Sequence, residues 1–90
     1  MRILHIHVEK KYFDEIKSGK KVEEYREYKK HWFNRLHNKC FDKILIKCGY
    51  PKAGDTEKII ERPWRGYTVK QIQHEKFGPQ PVHVFAIRVN

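Results

Sequence analysis

No apolar stretch in this chain is longer than Val84-Phe85-Ala86-Ile87, and the next is Ile44-Leu45-Ile46. Nothing approaches the ~18 consecutive apolar residues of a membrane helix, so a membrane-spanning helix is excluded. The apolar residues are spaced instead. Leu4, Ile6 and Val8 alternate with His5 and His7, the period of a strand that packs on one side. Arg2 is followed by this alternation and then by Glu9-Lys10-Lys11, which leaves no continuous apolar segment for a signal peptide, and a cytoplasmic location is the default expectation. Ninety residues form one domain over positions 1–90, because a chain this short buries only roughly 60–65% of its unfolded surface and cannot divide that between two cores. The 12 aromatic residues (5 Phe, 5 Tyr, 2 Trp) are too much core material for a disordered tail.

Along the chain the period changes several times. Tyr12, Phe13, Ile16 and Lys17 form a helical stripe over residues 10–18, closed by Ser18-Gly19, where the glycine supplies a left-handed exit. Val22–Tyr28 returns to strand composition, and Trp32, Phe33 and Leu36 predict one or two helical turns ending near Asn38. Lys43–Cys48 alternates as a strand and runs into a Gly/Pro loop over residues 49–55. Pro63 limits a strand at Ile59–Glu61 to a short or edge piece, Thr68–Gln73 is weakly strand-like, and Val82–Val89 is an apolar strand after turn chemistry at Phe77–Pro81. The expected fold class is α+β, a small curled sheet or barrel of about five strands with two short helices near the N-terminus.

Twenty Lys+Arg against 11 Asp+Glu give a net charge of +9, a field that favours an anionic partner, nucleic acid before an acidic small substrate. The lysine pairs at 10–11, 20–21 and 29–30 bracket the first helix and the strands beside it, and suit non-specific phosphate contacts as well as plain solvation. Cys40 and Cys48 lie eight apart with no second pair to complete a zinc site, and read as reduced structural thiols. His5 and His7 could form a two-residue platform on one strand face. No third ligand stands at a recognisable interval, so no metal is expected.

The densest cluster of functional side chains is Gly19-Lys20-Lys21-Val22-Glu23-Glu24-Tyr25-Arg26. Alternation puts Glu24 and Arg26 on one strand face. Lys21 has the opposite parity and joins them only from the turn before the strand or from a bulge. The alternative is a ladder of exposed ion pairs, each contributing about 0–1 kcal/mol. A second candidate is Glu61-Arg62-Pro63-Trp64-Arg65-Gly66-Tyr67, where Arg62, Trp64, Arg65 and Tyr67 could stack on unpaired bases at about 1–3 kcal/mol per base, or where Trp64 could simply cap the core.

Gly19-x-Lys21-x-x-Glu24-x-Arg26 after a helix, the Gly49-Tyr50 turn after a strand, and His74-x-x-Phe77-Gly78-Pro79-x-Pro81-Val82 together resemble small single-domain ASCH proteins of the PUA-like superfamily. The resemblance covers most of the chain. It implies a compact barrel with a cleft in which the lysine, glutamate and arginine of the motif face RNA or a modified nucleoside. One branch of the superfamily hydrolyses the acetyl amide of N4-acetylcytidine with a threonine three residues after the lysine. Glu24 stands there instead, so the hydroxyl nucleophile of that scheme is missing.

A carboxylate near Lys21 favours the ammonium form, which suits holding a phosphate or carbonyl oxygen. The expected function is therefore RNA or modified-nucleoside binding by Lys21, Glu24 and Arg26, with Trp64, Arg65 and Tyr67 as a stacking wall and no cofactor. The alternative is a hydrolase, acting on an N4-acetylcytidine-like amide or on RNA, with Glu24 as base and Lys21 steadying the oxyanion. A third possibility is an adaptor whose basic face docks an acidic protein.

Overall fold

The computed structural model describes residues 1–90. In chain order its elements are β1 (Ile3–Val8), α1 (Lys10–Lys17), β2 (Glu23–Glu27), α2 (Lys30–Leu36), β3 (Lys43–Cys48), β4 (Ile59–Pro63), β5 (Tyr67–Ile72) and β6 (Val82–Arg88), with 3-10 turns at Thr56–Lys58 and Glu75–Phe77. The chain is an α+β domain. No helix in it is long and apolar enough to cross a membrane.

The strands pair in two ladders, β1-β3-β4 and β2-β6-β5. Strands β1 and β3 are parallel, with Leu4 opposite Ile44 and Ile6 opposite Ile46, so the two alternating patterns bury a common face. A parallel pair needs a long crossover, and α1, β2 and α2 supply it. Strand β4 runs antiparallel along β3 as an edge strand that ends on Pro63, where a missing N–H costs no ladder bond. In the second sheet β6 is central, between β2 and β5, and Val84, Phe85, Ala86 and Ile87 are all buried. This is why the longest apolar run of the sequence falls here: a central strand covered on both faces has no polar side to present.

One core joins the layers. Leu4, Ile6, Ile44 and Ile46 from the first sheet meet Phe85 and Ile87 from the second, with Phe13 and Ile16 of α1 and Leu36 of α2. The α1 stripe is as its spacing predicts at Phe13 and Ile16, whereas Lys17 is exposed. Helix α1 closes through Gly19 at φ 86°, a conformation that disfavours any residue with a Cβ.

The strands number six and do not close into a barrel, which corrects the expected barrel of about five. A closing strand would have to bond the outward carbonyls of β1. Those of His5 and His7 instead accept from Arg35 Nη2 at 2.9 Å and Arg26 Nη2 at 2.8 Å. Two guanidinium groups thus occupy the open edge of β1, and edge-to-edge pairing is blocked by side chains.

Candidate functional site

Alternation along β2 turns Glu24 to the interior, opposite Ile87 of β6, and Arg26 to the same side, opposite Phe85. Lys21 arrives from the turn before β2, the condition under which its parity lets it join them. The three side chains converge: Lys21 Nζ lies 3.6 Å from Glu24 Oε1, and Arg26 Nη2 lies 3.0 Å from Glu24 Oε2. Glu24 is 2% exposed, so this is a carboxylate taken out of water and held by two cations, and not an exposed ladder. Desolvating a charge costs several kcal/mol unless partners surround it, and here each oxygen has one.

The turn that delivers Lys21 is fixed by the backbone. Lys21 donates its N–H to the Glu15 carbonyl at 3.0 Å, and Asn90 Nδ2 donates to the carbonyls of Lys21 at 2.7 Å and Ile16 at 2.8 Å. Asn90 is oriented in turn by Arg62, whose Nε donates to Asn90 Oδ1 at 3.1 Å. Arg62 therefore acts on the site through Asn90, as a positioning residue.

A third cation stands beside the pair. Lys76, from the 3-10 turn before β6, places its ammonium 5.5 Å from the ring centre of Tyr12 and 5.6 Å from that of Phe77. Lys21 lies 5.1 Å from Tyr12 and 4.8 Å from Tyr25, so the two lysines share an aromatic surface. Lys76 is an exposed residue, yet partial desolvation lowers its pKa below the ordinary lysine value of 10.5; Arg26 and Lys21 push the same way, and Glu24 and Glu9 oppose them.

An anion bound beside Lys76 would restore the ammonium form, so affinity must fall as pH rises through the depressed pKa of the free protein. Phosphate affinity is expected to decline at a pH below 10.5 in the native protein and to be flatter in Lys76→Gln. Calorimetric titrations above about pH 8, where a phosphomonoester is already dianionic, read this directly.

Arg26 and Lys76 also line a cavity of about 530 Å³, together with His7, Glu9, Lys10, Gly49 and Tyr50. His7 stacks on Tyr50 with ring centres 4.3 Å apart, and its Nδ1 is 2.7 Å from the Gly49 carbonyl oxygen. Tyr50 is 86% exposed, a large ring held flat at the rim. Arg26 Nε is buried and has no acceptor.

The second set of expected site residues lies elsewhere. Tyr67 pairs with Ile87 on the side of β6 away from β2, so a whole strand separates it from Glu24. Its ring packs edge-on against Phe85 at 5.2 Å. Trp64 packs against the core and meets Phe41 edge-on at 5.0 Å, which is the capping role and gives no wall beside the triad. Arg65 is exposed and lines a separate cavity of about 190 Å³ with Tyr67 and Arg88. Cys40 and Cys48 are free thiols, Cys48 on the wall of the larger cavity. Sequence reasoning missed Lys76. Its turn reaches the triad through a tertiary contact between the β5–β6 connection and α1, for which the only local signal was a lysine among turn residues.

Comparison of the chain with protein-family models, curated proteins and solved structures finds no match.

Proposed function

We propose that the protein binds a nucleotide, free or within single-stranded RNA, in the cavity between Arg26, Lys76 and the His7–Tyr50 stack. The observation that carries this is charge: Lys21, Arg26 and Lys76 stand around a single buried carboxylate. A phosphate on Arg26 and Lys76 would balance the excess, and the exposed face of Tyr50 offers a stacking surface for a base. Of the motif positions only Arg26 lines this cavity, with Glu24 and Lys21 behind it, and kinship with ASCH-type, PUA-like domains is part of the same proposal.

Binding is favoured over hydrolysis in this site. Glu24 has one oxygen on Lys21 and the other on Arg26, and at 2% exposure it has no free lone pair turned toward a water. A general base has to reach the proton it removes, and this carboxylate is engaged in holding cations.

Fluorescence anisotropy with a labelled single-stranded RNA, competed by a nucleoside monophosphate, tests the proposal. Binding at low salt is expected, with affinity falling log-linearly as salt rises, displacement by the monophosphate, and unaltered RNA by mass spectrometry. Absence of affinity at low salt, or turnover of the RNA or of N4-acetylcytidine, would overturn it.

A further inference from the structure

Resting on the nucleotide site just described, we propose that the open edge of β1 is a track for a single-stranded polynucleotide, running from that site to a second phosphate site between α2 and the start of β1. The track is continuous in the contacts. Arg26 lies over one end of Trp32, 5.2 Å from its ring centre, and Arg35 lies 4.5 Å from the same ring. Arg26 bonds the His7 carbonyl and Arg35 the His5 carbonyl, so the two guanidinium groups are set one strand repeat apart along a single edge, with the indole as spacer.

Beyond Arg35 a second cavity of about 370 Å³ opens, lined by Arg2, Asn34, Arg35, Lys39 and Phe41. No carboxylate lines it. Arg2, Arg35 and Lys39 take part in none of the protein's side-chain ion pairs, and they stand together at one cavity. Burial and the neighbouring Arg26 both push Arg35 below the ordinary guanidinium value, the mark of a cation without a counter-charge.

Leu4 at the edge of one cavity and His7 at the edge of the other are three residues apart along β1, about 10 Å at about 3.3 Å per residue, a gap that consecutive phosphates of a polymer can bridge and a single phosphate cannot. Repeated phosphates fit this edge better than an acidic protein does. The fixed groups are two planar guanidinium forks, which match phosphate oxygens, set on a half-buried indole. The strand would enter its base at Tyr50 and lay its neighbouring phosphates over Arg26, Arg35 and then Arg2 and Lys39.

The test compares a nucleoside monophosphate with hexanucleotides of RNA and of DNA on the native protein and on the double variant Arg2→Ala/Lys39→Ala, which leaves both backbone-capping arginines in place. The hexamer is expected to bind at least ten-fold more tightly than the monophosphate. The double variant should weaken hexamer binding roughly 5- to 20-fold and flatten the log–log salt slope by about 1.4, two contacts at about 0.7 each, with monophosphate affinity unchanged. The RNA and DNA arms decide which polymer the track prefers. Equal affinity for monophosphate and hexamer, an unchanged salt slope in the variant, or equally tight binding of hexaglutamate would overturn the track while leaving the nucleotide site standing. Failure of the monophosphate and both hexamers to bind would remove both.

Discussion

Replacing Glu24 with alanine is expected to destabilise the fold by about 3–5 kcal/mol, because it strands Lys21 and Arg26 in a desolvated position with no counter-charge. The total stability of a domain this size is of order 5–13 kcal/mol, so the loss is a large share of it. Thermal unfolding should show Tm falling by roughly 15 °C or more. Glu24→Gln keeps an acceptor for one cation and turns an amide toward the other, and belongs between the native protein and the alanine variant. Converting all three residues together, Lys21→Met, Glu24→Leu and Arg26→Met, removes the charges as a set. It is expected to recover part of the stability, short of the native value because the His7 carbonyl also loses its Arg26 donor. A Glu24→Ala protein within about 1 kcal/mol of native would mean that water reaches the two cations, and the enclosed site would have to be abandoned.

Replacing Lys76 with alanine has the opposite profile. Lys76 is exposed and makes no ion pair, so the fold loses nothing it depends on, and Tm should stay within a few degrees. Nucleotide affinity, in contrast, should fall roughly 10- to 100-fold, the loss of one charge-assisted hydrogen bond of about 1.5–3 kcal/mol. Calorimetry of the monophosphate on native and variant protein measures this. A variant that binds as tightly as the native protein would place the phosphate away from Lys76.

Two kinds of information were carried by the sequence to different depths. Parity is local: a strand beginning near Val22 must put Glu24 and Arg26 on one face, and a glycine turn ahead of it lets Lys21 swing to the same side, so the triad could be drawn before any coordinates. The helical stripe at Phe13 and Ile16 and the alternation in β1 and β3 were legible for the same reason. Closure of the sheet was not. Whether β1 meets another strand or two guanidinium groups depends on where Arg26 and Arg35 land, and they come from elements 19 and 30 residues away from the carbonyls they cap.

The same limit explains Trp64 and Lys76. Arginine and aromatic residues interleaved on a Pro/Gly loop fit a stacking wall and a core cap equally well, and only the position of Phe41 decides for the cap. Lys76 becomes part of the site because its turn packs over Tyr12 of α1, a contact between residues 64 positions apart. Arg62 stood among the expected ligand-binding residues and does act on the site, but through Asn90.

Backbone and side-chain NMR of the native protein during titration with a nucleoside monophosphate tests the central claim most directly. The account predicts saturable shift changes confined to His7, Gly49, Tyr50, the Arg26 guanidinium including its buried Nε–H, and Lys76, with Arg62 to Tyr67 silent. Changes scattered over exposed lysines, or centred on the Trp64 loop, would contradict it.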